Sequence, residues 1–331
     1  MSRDRGRGFF RRLALAAIAA SMAVGLVACS GDSSGEQSGS GDAVTIDHAQ
    51  GQTTIEGVPE RVVALGSQWA DASQALGVTP VGYLDLVSMS TGGRAAPWDP
   101  PEMSQAAKID PQGDIVEQVA ELNPDLILAP GFGADKTTFD KLSALAPTIA
   151  NLSTAQIEKW QDQVSTLGKI YHKPDEATQV INEIEGRITG IRDANPGLAG
   201  KTFLTAYLAS PTQLMVLADP NDGSSALFTE LGMVLPQQLV DEAGSMGGRI
   251  ALSPERVADL DADLLVATAA PGMEQAFTSL PGYADLPAVR NGGLAFIDIV
   301  TGTGMNMPTP LSLPYVLDQL EPTLVKVGRQ P

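Results

Sequence analysis

Cysteine occurs once in the chain, at Cys29, which excludes an internal disulfide and a thiolate metal cluster. Histidine is almost as scarce. His48 and His172 are the two present, and neither follows an apolar strand run, where open α/β sheets gather ligands. Capture of a bare zinc or manganese ion by clustered His and carboxylate has little support, and no metal site is expected. Positive charge is also short: 21 Lys and Arg face 39 Asp and Glu, a formal balance of −18. A surface this acidic repels nucleic acid. The chain further lacks a Gly-x-Ser-x-Gly elbow, a Gly-x-x-x-x-Gly-Lys phosphate loop and an internal thiol nucleophile. Asp259 and Asp261 lie close together but read as solvated carboxylates. The expectation is a protein that is not an enzyme and uses no cofactor.

What is present suits two cores: 331 residues with 43% hydrophobic content. Residues 1–29 place Arg3, Arg5, Arg7, Arg11 and Arg12 against a single Asp4, then an apolar run over 13–28, then Cys29. That run is short for a stable membrane span, so it reads as a leader that is removed. Leu26-Val-Ala-Cys29 resembles a bacterial lipobox, whose cysteine is lipidated and becomes the new N-terminus. An ordinary secretory signal with an incidental cysteine is the other reading. Arg11-Arg12 leaves Sec and twin-arginine export both open. Five Arg and one Asp leave with this segment, so the mature balance moves from −18 to −22. Residues 30–42, almost all Ser, Gly, Asp, Glu and Gln, form a solvated linker between lipid and folded body.

One short pattern occurs twice. Asp114-Ile-Val-Glu-Gln-Val-Ala-Glu-Leu-Asn-Pro-Asp-Leu-Ile-Leu reads as a capped helix, a tight connection and a buried strand, and Ser253-Pro-Glu-Arg-Val-Ala-Asp-Leu-Asp-Ala-Asp-Leu-Leu-Val repeats it. In each, a glutamate (Glu117, Glu255) opens the helix and an aspartate (Asp125, Asp263) precedes the apolar run. Around these, apolar strands alternate with helices: Arg61-Val-Val-Ala-Leu-Gly, then a helix from Ala70 to Leu76, then Val81-Gly-Tyr-Leu. That rhythm predicts parallel sheets with crossover helices. A hairpin is expected around Gln50-Gly-Gln. Residues 85–112 form a long irregular stretch, and loops of that length are often functional. From Pro174, with Asp175 and Glu176 in the first turn, Ile181, Ile184, Ile188 and Ile191 line one face of a helix of roughly 20 residues, about 30 Å long.

The expected architecture is α/β: two similar α/β lobes with mainly parallel central sheets joined by one long spine helix. The divisions fall at 43–172, 173–195 and 196–331. Arg61-Val-Val-Ala-Leu-Gly, Ala75-Leu-Gly-Val-Thr-Pro-Val-Gly, the two Glu-to-Asp-Leu segments, Leu142-Ser-Ala-Leu-Ala-Pro-Thr, the spine helix and Leu311-Ser-Leu-Pro-Tyr together resemble a cluster-A periplasmic substrate-binding protein. The class is that of iron-siderophore and cobalamin ABC importers. The resemblance implies a shallow cleft between the lobes and delivery of the captured ligand to a permease. It also implies a monomer anchored by lipid to the outer face of the cytoplasmic membrane.

Glu117 and Glu255 match the family's surface carboxylates, which pair with permease arginines. Both also sit in first helical turns, where they serve their own helices. For the cleft the candidates are Trp69, Arg94, Trp98, Phe132, Tyr207, Met215, Arg249 and Met305, each at or after a strand end. An Arg pair among aromatic faces suits a bulky, anionic ferric siderophore complex. Haem with Tyr207 as ligand, cobalamin, and a surface receptor or scaffold for a protein partner stay open at this point.

Overall fold

The computed structural model describes residues 43–131, 135–155, 157–244 and 248–330. Cys29, the leader, the linker and Phe132 lie outside the described residues. A hairpin of β1 (Val44–His48) and β2 (Gly51–Ile55) comes first, its strands paired antiparallel. His48 is spent there: its ring bonds the Thr53 hydroxyl at 2.8 Å and lies 5.4 Å from the Phe139 ring.

The first lobe then runs β3 (Val62–Ala64), α1 (Ser67–Ala75), β4 (Gly82–Tyr83), α2 (Leu86–Thr91), β5 (Ala107–Lys108), α3 (Ile115–Glu121), β6 (Leu126–Leu128), α4 (Lys136–Ser143) and β7 (Thr148–Ile149). Its sheet has the order β5-β4-β3-β6-β7 and every pairing in it is parallel. All residues of β3 and β6 are buried, as expected for a parallel sheet covered on both faces. The stretch expected to be irregular, 85–112, contains α2, a 3-10 turn at Pro101–Gln105 and β5. Elements this short carry no readable periodicity.

Helices α5 (Trp160–Ile170) and α6 (Pro174–Ala194) connect the lobes. The 21 residues of α6 make the spine, with Ala177, Ile184, Ile188 and Ile191 buried along one face. Gly168 of α5 lets the pair close up: a Cβ there would lie 2.5 Å from that of Ala177.

The second lobe follows as β8 (Phe203–Ser210), β9 (Gln213–Leu217), α7 (Gly223–Glu230), α8 (Gln237–Ala243), β10 (Arg249–Leu252), β11 (Leu264–Ala269), α9 (Glu274–Thr278), α10 (Pro287–Asn291), β12 (Leu294–Phe296), α11 (Ile299–Asn306) and α12 (Ser312–Val327). Its order, β10-β9-β8-β11-β12, reproduces that of the first sheet. The direction does not: β9 alone is reversed, pairing antiparallel with both β8 and β10, while β8, β10, β11 and β12 point the same way. Only two residues separate β8 from β9, too few for a crossover, so the chain must turn back on itself.

The repeated aspartates explain why the pattern recurs. Asp125 accepts from the backbone N–H groups of Glu60 and Arg61, both at 2.8 Å. Asp263 accepts from the Thr202 N–H at 2.7 Å and the Thr202 hydroxyl at 2.9 Å. Each carboxylate satisfies donors just before the central strand of its sheet, β3 or β8. One apolar core runs through both lobes and the spine, from Val62 through Ile184 to Val327.

Candidate ligand-binding cleft

Four of the expected cleft residues converge in the second lobe. Tyr207 on β8 lies opposite Met215 on β9, and Arg249 starts β10 opposite Leu217. With Thr205, Thr268 and Met305 they wall an open hollow of about 270 Å³. The hydroxyls of Thr205, Tyr207 and Thr268 make no hydrogen bond to any described residue. The Arg249 Nη1 donates to Asp222 Oδ2 at 3.0 Å. Asp222 is buried, and its other oxygen caps α7 by accepting from the Ser224 N–H at 2.9 Å. The pairing spends part of the positive charge that the sequence assigned to the cleft.

Arg94 occupies a second hollow, with Glu274, Phe296 and Asp298. It reaches there from the first lobe, so this hollow spans both. The two hollows lie at opposite ends of α11: Ile299 lines the second, Met305 and Asn306 the first. Asp298 fixes the N-terminal end by accepting from the Thr301 N–H at 2.8 Å and hydroxyl at 2.7 Å. At the other end the Asn306 carbonyl accepts from the Ser224 hydroxyl.

Trp98 sits on the seam between the lobes. Its ring is 5.4 Å from that of Tyr315, and a Cβ on Gly304 would meet it at 2.6 Å. Its Nε1 donates to Asp71 Oδ2 at 3.2 Å, and the same oxygen accepts from the Thr309 hydroxyl at 2.6 Å. Burial pushes the Asp71 carboxyl up to about 7; the donors Thr309 and Trp98 oppose this, and Asp99 and Asp85 add to it. Burial, then repulsion from Asp85, raises Asp99 to about 6. Asp85 itself accepts from the Tyr83 hydroxyl at 3.2 Å and pairs with Lys108 at 2.9 Å.

Trp69 is a correction. It is fully buried in the core, in the first turn of α1, where Trp69, Ala70, Asp71, Ala72 and Ser73 are all buried. A residue without surface offers no face to a cleft ligand. The Glu117 and Glu255 side chains are exposed and make no hydrogen bond or ion pair to described residues. The cap of α3 is Asp114 alone, which accepts from Val116 and Glu117 N–H groups. Asp259, expected to be merely solvated, accepts from Arg256 Nε at 2.7 Å, and the same guanidinium holds Glu242 by two 2.7 Å bonds. Sequence reasoning missed Asp71, Asp222 and Thr309. The Asp222-Gly-Ser-Ser stretch is a readable cap signal, whereas nothing local marks Asp71.

Two α/β lobes of one strand order, bridged by a long helix, with one hollow in the second lobe and one between the lobes, have the architecture of a solute-binding protein. Residues 62–300 match the family described as periplasmic binding protein, and the chain belongs to it. It is 30% identical to a periplasmic solute binding protein from Mycobacterium smegmatis str. MC2 155, with a TM-score of 0.72 over 86% of this chain and 99% of that one. PiaA from Streptococcus pneumoniae TIGR4 in complex with ferrichrome is 25% identical, with a TM-score of 0.71 over 86% and 98%. The Bacillus subtilis (strain 168) protein named "Probable siderophore-binding lipoprotein YfiY" is 26% identical over 91% of this chain and 94% of its own.

Proposed function

We propose that the chain is the solute-binding subunit of an ABC importer, which captures a ferric siderophore in the inter-lobe cleft and hands it to the permease. The observation that carries this reading is the convergence of Tyr207, Met215, Arg249 and Met305 on one hollow in the second lobe. Family membership and the siderophore named for relatives support it. The division at 43–172, 173–195 and 196–331 serves this role, with the spine setting the distance between lobes. Arg94 and Trp98 belong to the first lobe's side of the site. The work is binding, without a catalytic step or a resident cofactor.

The lipobox reading places a lipid on Cys29, holding a monomer at the outer face of the cytoplasmic membrane. Glu117 and Glu255 are the contacts offered to the permease, one from each lobe, and like charges at a fixed spacing steer as well as orient. The chain has three tryptophans, so a ferric chelate seated near Trp98 quenches intrinsic fluorescence. A titration with ferric siderophores against iron-free forms tests the reading. Saturable quenching by the ferric forms is expected; absence of binding to any of them, by fluorescence and by equilibrium dialysis, overturns it.

A further inference from the structure

Charge in the cleft is balanced rather than positive. Arg249 is paired with buried Asp222 at 3.0 Å, and Arg94 shares its hollow with Glu274 and Asp298. On the first-lobe side Lys108 is paired with Asp85 at 2.9 Å, and Asp71 and Asp99 stand close to that pair. The internal residues outside the description, 132–134, 156 and 245–247, are Phe, Gly, Ala, Gln, Ser, Met and Gly and carry no charge. None of these seven adds a cation. Beyond the site, a balance of −18 sets a repulsive field for any approaching anion.

The first hollow is nevertheless rich in polar groups. The Thr205, Tyr207 and Thr268 hydroxyls bond no described residue, and Asn306 lines the same wall. Met215 and Met305 supply an apolar, polarisable floor between them. Neutral donors beside thioethers suit a bulky chelate whose surface shows carbonyl and hydroxamate oxygens without net charge. A polyanion would lose its hydration there and find the Arg249 guanidinium already paired with the Asp222 carboxylate.

Resting on the siderophore reading above, we infer that the cleft selects ferric chelates carrying no net negative charge, of the trishydroxamate type, over polyanionic catecholate or carboxylate chelates. Three singly charged hydroxamates neutralise Fe(III), whereas three catecholates leave a charge of about −3, and repulsion scales with that charge.

The test is a competition series by equilibrium dialysis with radioactive iron at low ionic strength. The probes are ferrichrome, ferric tris(2,3-dihydroxybenzoate) and ferric citrate, each with the wild-type protein and with Asp222→Asn. Asn keeps an acceptor for the Ser224 N–H, so the cap survives while one negative charge leaves the site. Ferrichrome is expected to bind the wild type about tenfold tighter or more than either anion, with the gap narrowing in Asp222→Asn and in high salt. An anionic chelate binding as tightly as ferrichrome overturns the charge selection and leaves the siderophore reading standing. Failure of all three probes, with native circular dichroism, overturns the siderophore reading itself and this inference with it. If Asp222→Asn unfolds, the wild-type comparison alone decides.

Discussion

The hydroxyl of Thr309 donates a 2.6 Å hydrogen bond to Oδ2 of Asp71, tying a helix of the first lobe to the chain just ahead of the last helix of the second. The same oxygen holds Trp98 Nε1 at 3.2 Å, so one buried carboxyl pins both sides of the seam. Gln68 adds a second tie, its Nε2 donating to the Pro308 carbonyl at 3.0 Å.

Asp71 makes the seam sensitive to pH. In the folded protein its carboxyl titrates at about 7, against 3.8 in the unfolded chain, chiefly through burial. Between those values the folded state binds the extra proton, so stability falls as pH rises through the window and levels off above it. Asp71→Asn removes this slope. Urea denaturation at pH 5 and pH 8 is expected to show the variant gaining on the wild type with rising pH, by up to about 3 kcal/mol, since roughly two pH units of the window lie between pH 5 and the folded value of about 7. Parallel stability profiles would refute the assignment.

Arg249 and Arg94 are expected to behave differently. Arg249→Gln strips the partner from Asp222, whose side chain is 2% exposed. The cost to stability is on the order of 2 kcal/mol once the part exposure of the guanidinium is discounted. Adding Asp222→Asn is expected to restore most of it. Arg94 is exposed, so Arg94→Gln should leave the thermal midpoint in place and alter ligand affinity alone. Equal losses of stability in the two single variants would contradict this.

Glu117→Ala with Glu255→Ala is expected to abolish most uptake of radioactive iron by cells while the isolated protein keeps its chelate affinity. Both side chains are exposed and tied to nothing described, so the double variant should fold normally. Unimpaired uptake removes them from the permease contact; lost affinity assigns them to the fold or the cleft.

Asp125→Ala and Asp263→Ala test the repeated pattern. Each removes an acceptor serving two donors ahead of a central strand, which costs about 1–3 kcal/mol per site. Asn at either position keeps one acceptor and should recover part of the loss. Thermal midpoints of the four single variants are the measurement, and unchanged midpoints for both Ala variants would rule the role out.

The duplicated lobes were legible because Asp125 and Asp263 each answer a nearby backbone need, which leaves a local spacing in the chain. The spine was legible for the same reason: Ile184, Ile188 and Ile191 repeat at helical steps. What escaped reading depends on distant partners. Trp98 looks like one more rim aromatic until Asp71, Gly304 and Tyr315 surround it. Arg249 reads as a ligand cation until Asp222 is beside it. Trp69 was misjudged because its burial comes from packing into a core built by distant segments, which no local pattern marks.

The 21-residue helix from Pro174 to Ala194 has a mechanical meaning for anything that grips both lobes together. A continuous backbone hydrogen-bond ladder of about 30 Å resists stretching and sharp bending alike, so it acts as a gauge block. Loaded and empty molecules then offer a docking partner nearly the same spacing. Telling them apart falls to what is exposed at the mouth: the chelate itself and the side chains that move aside for it.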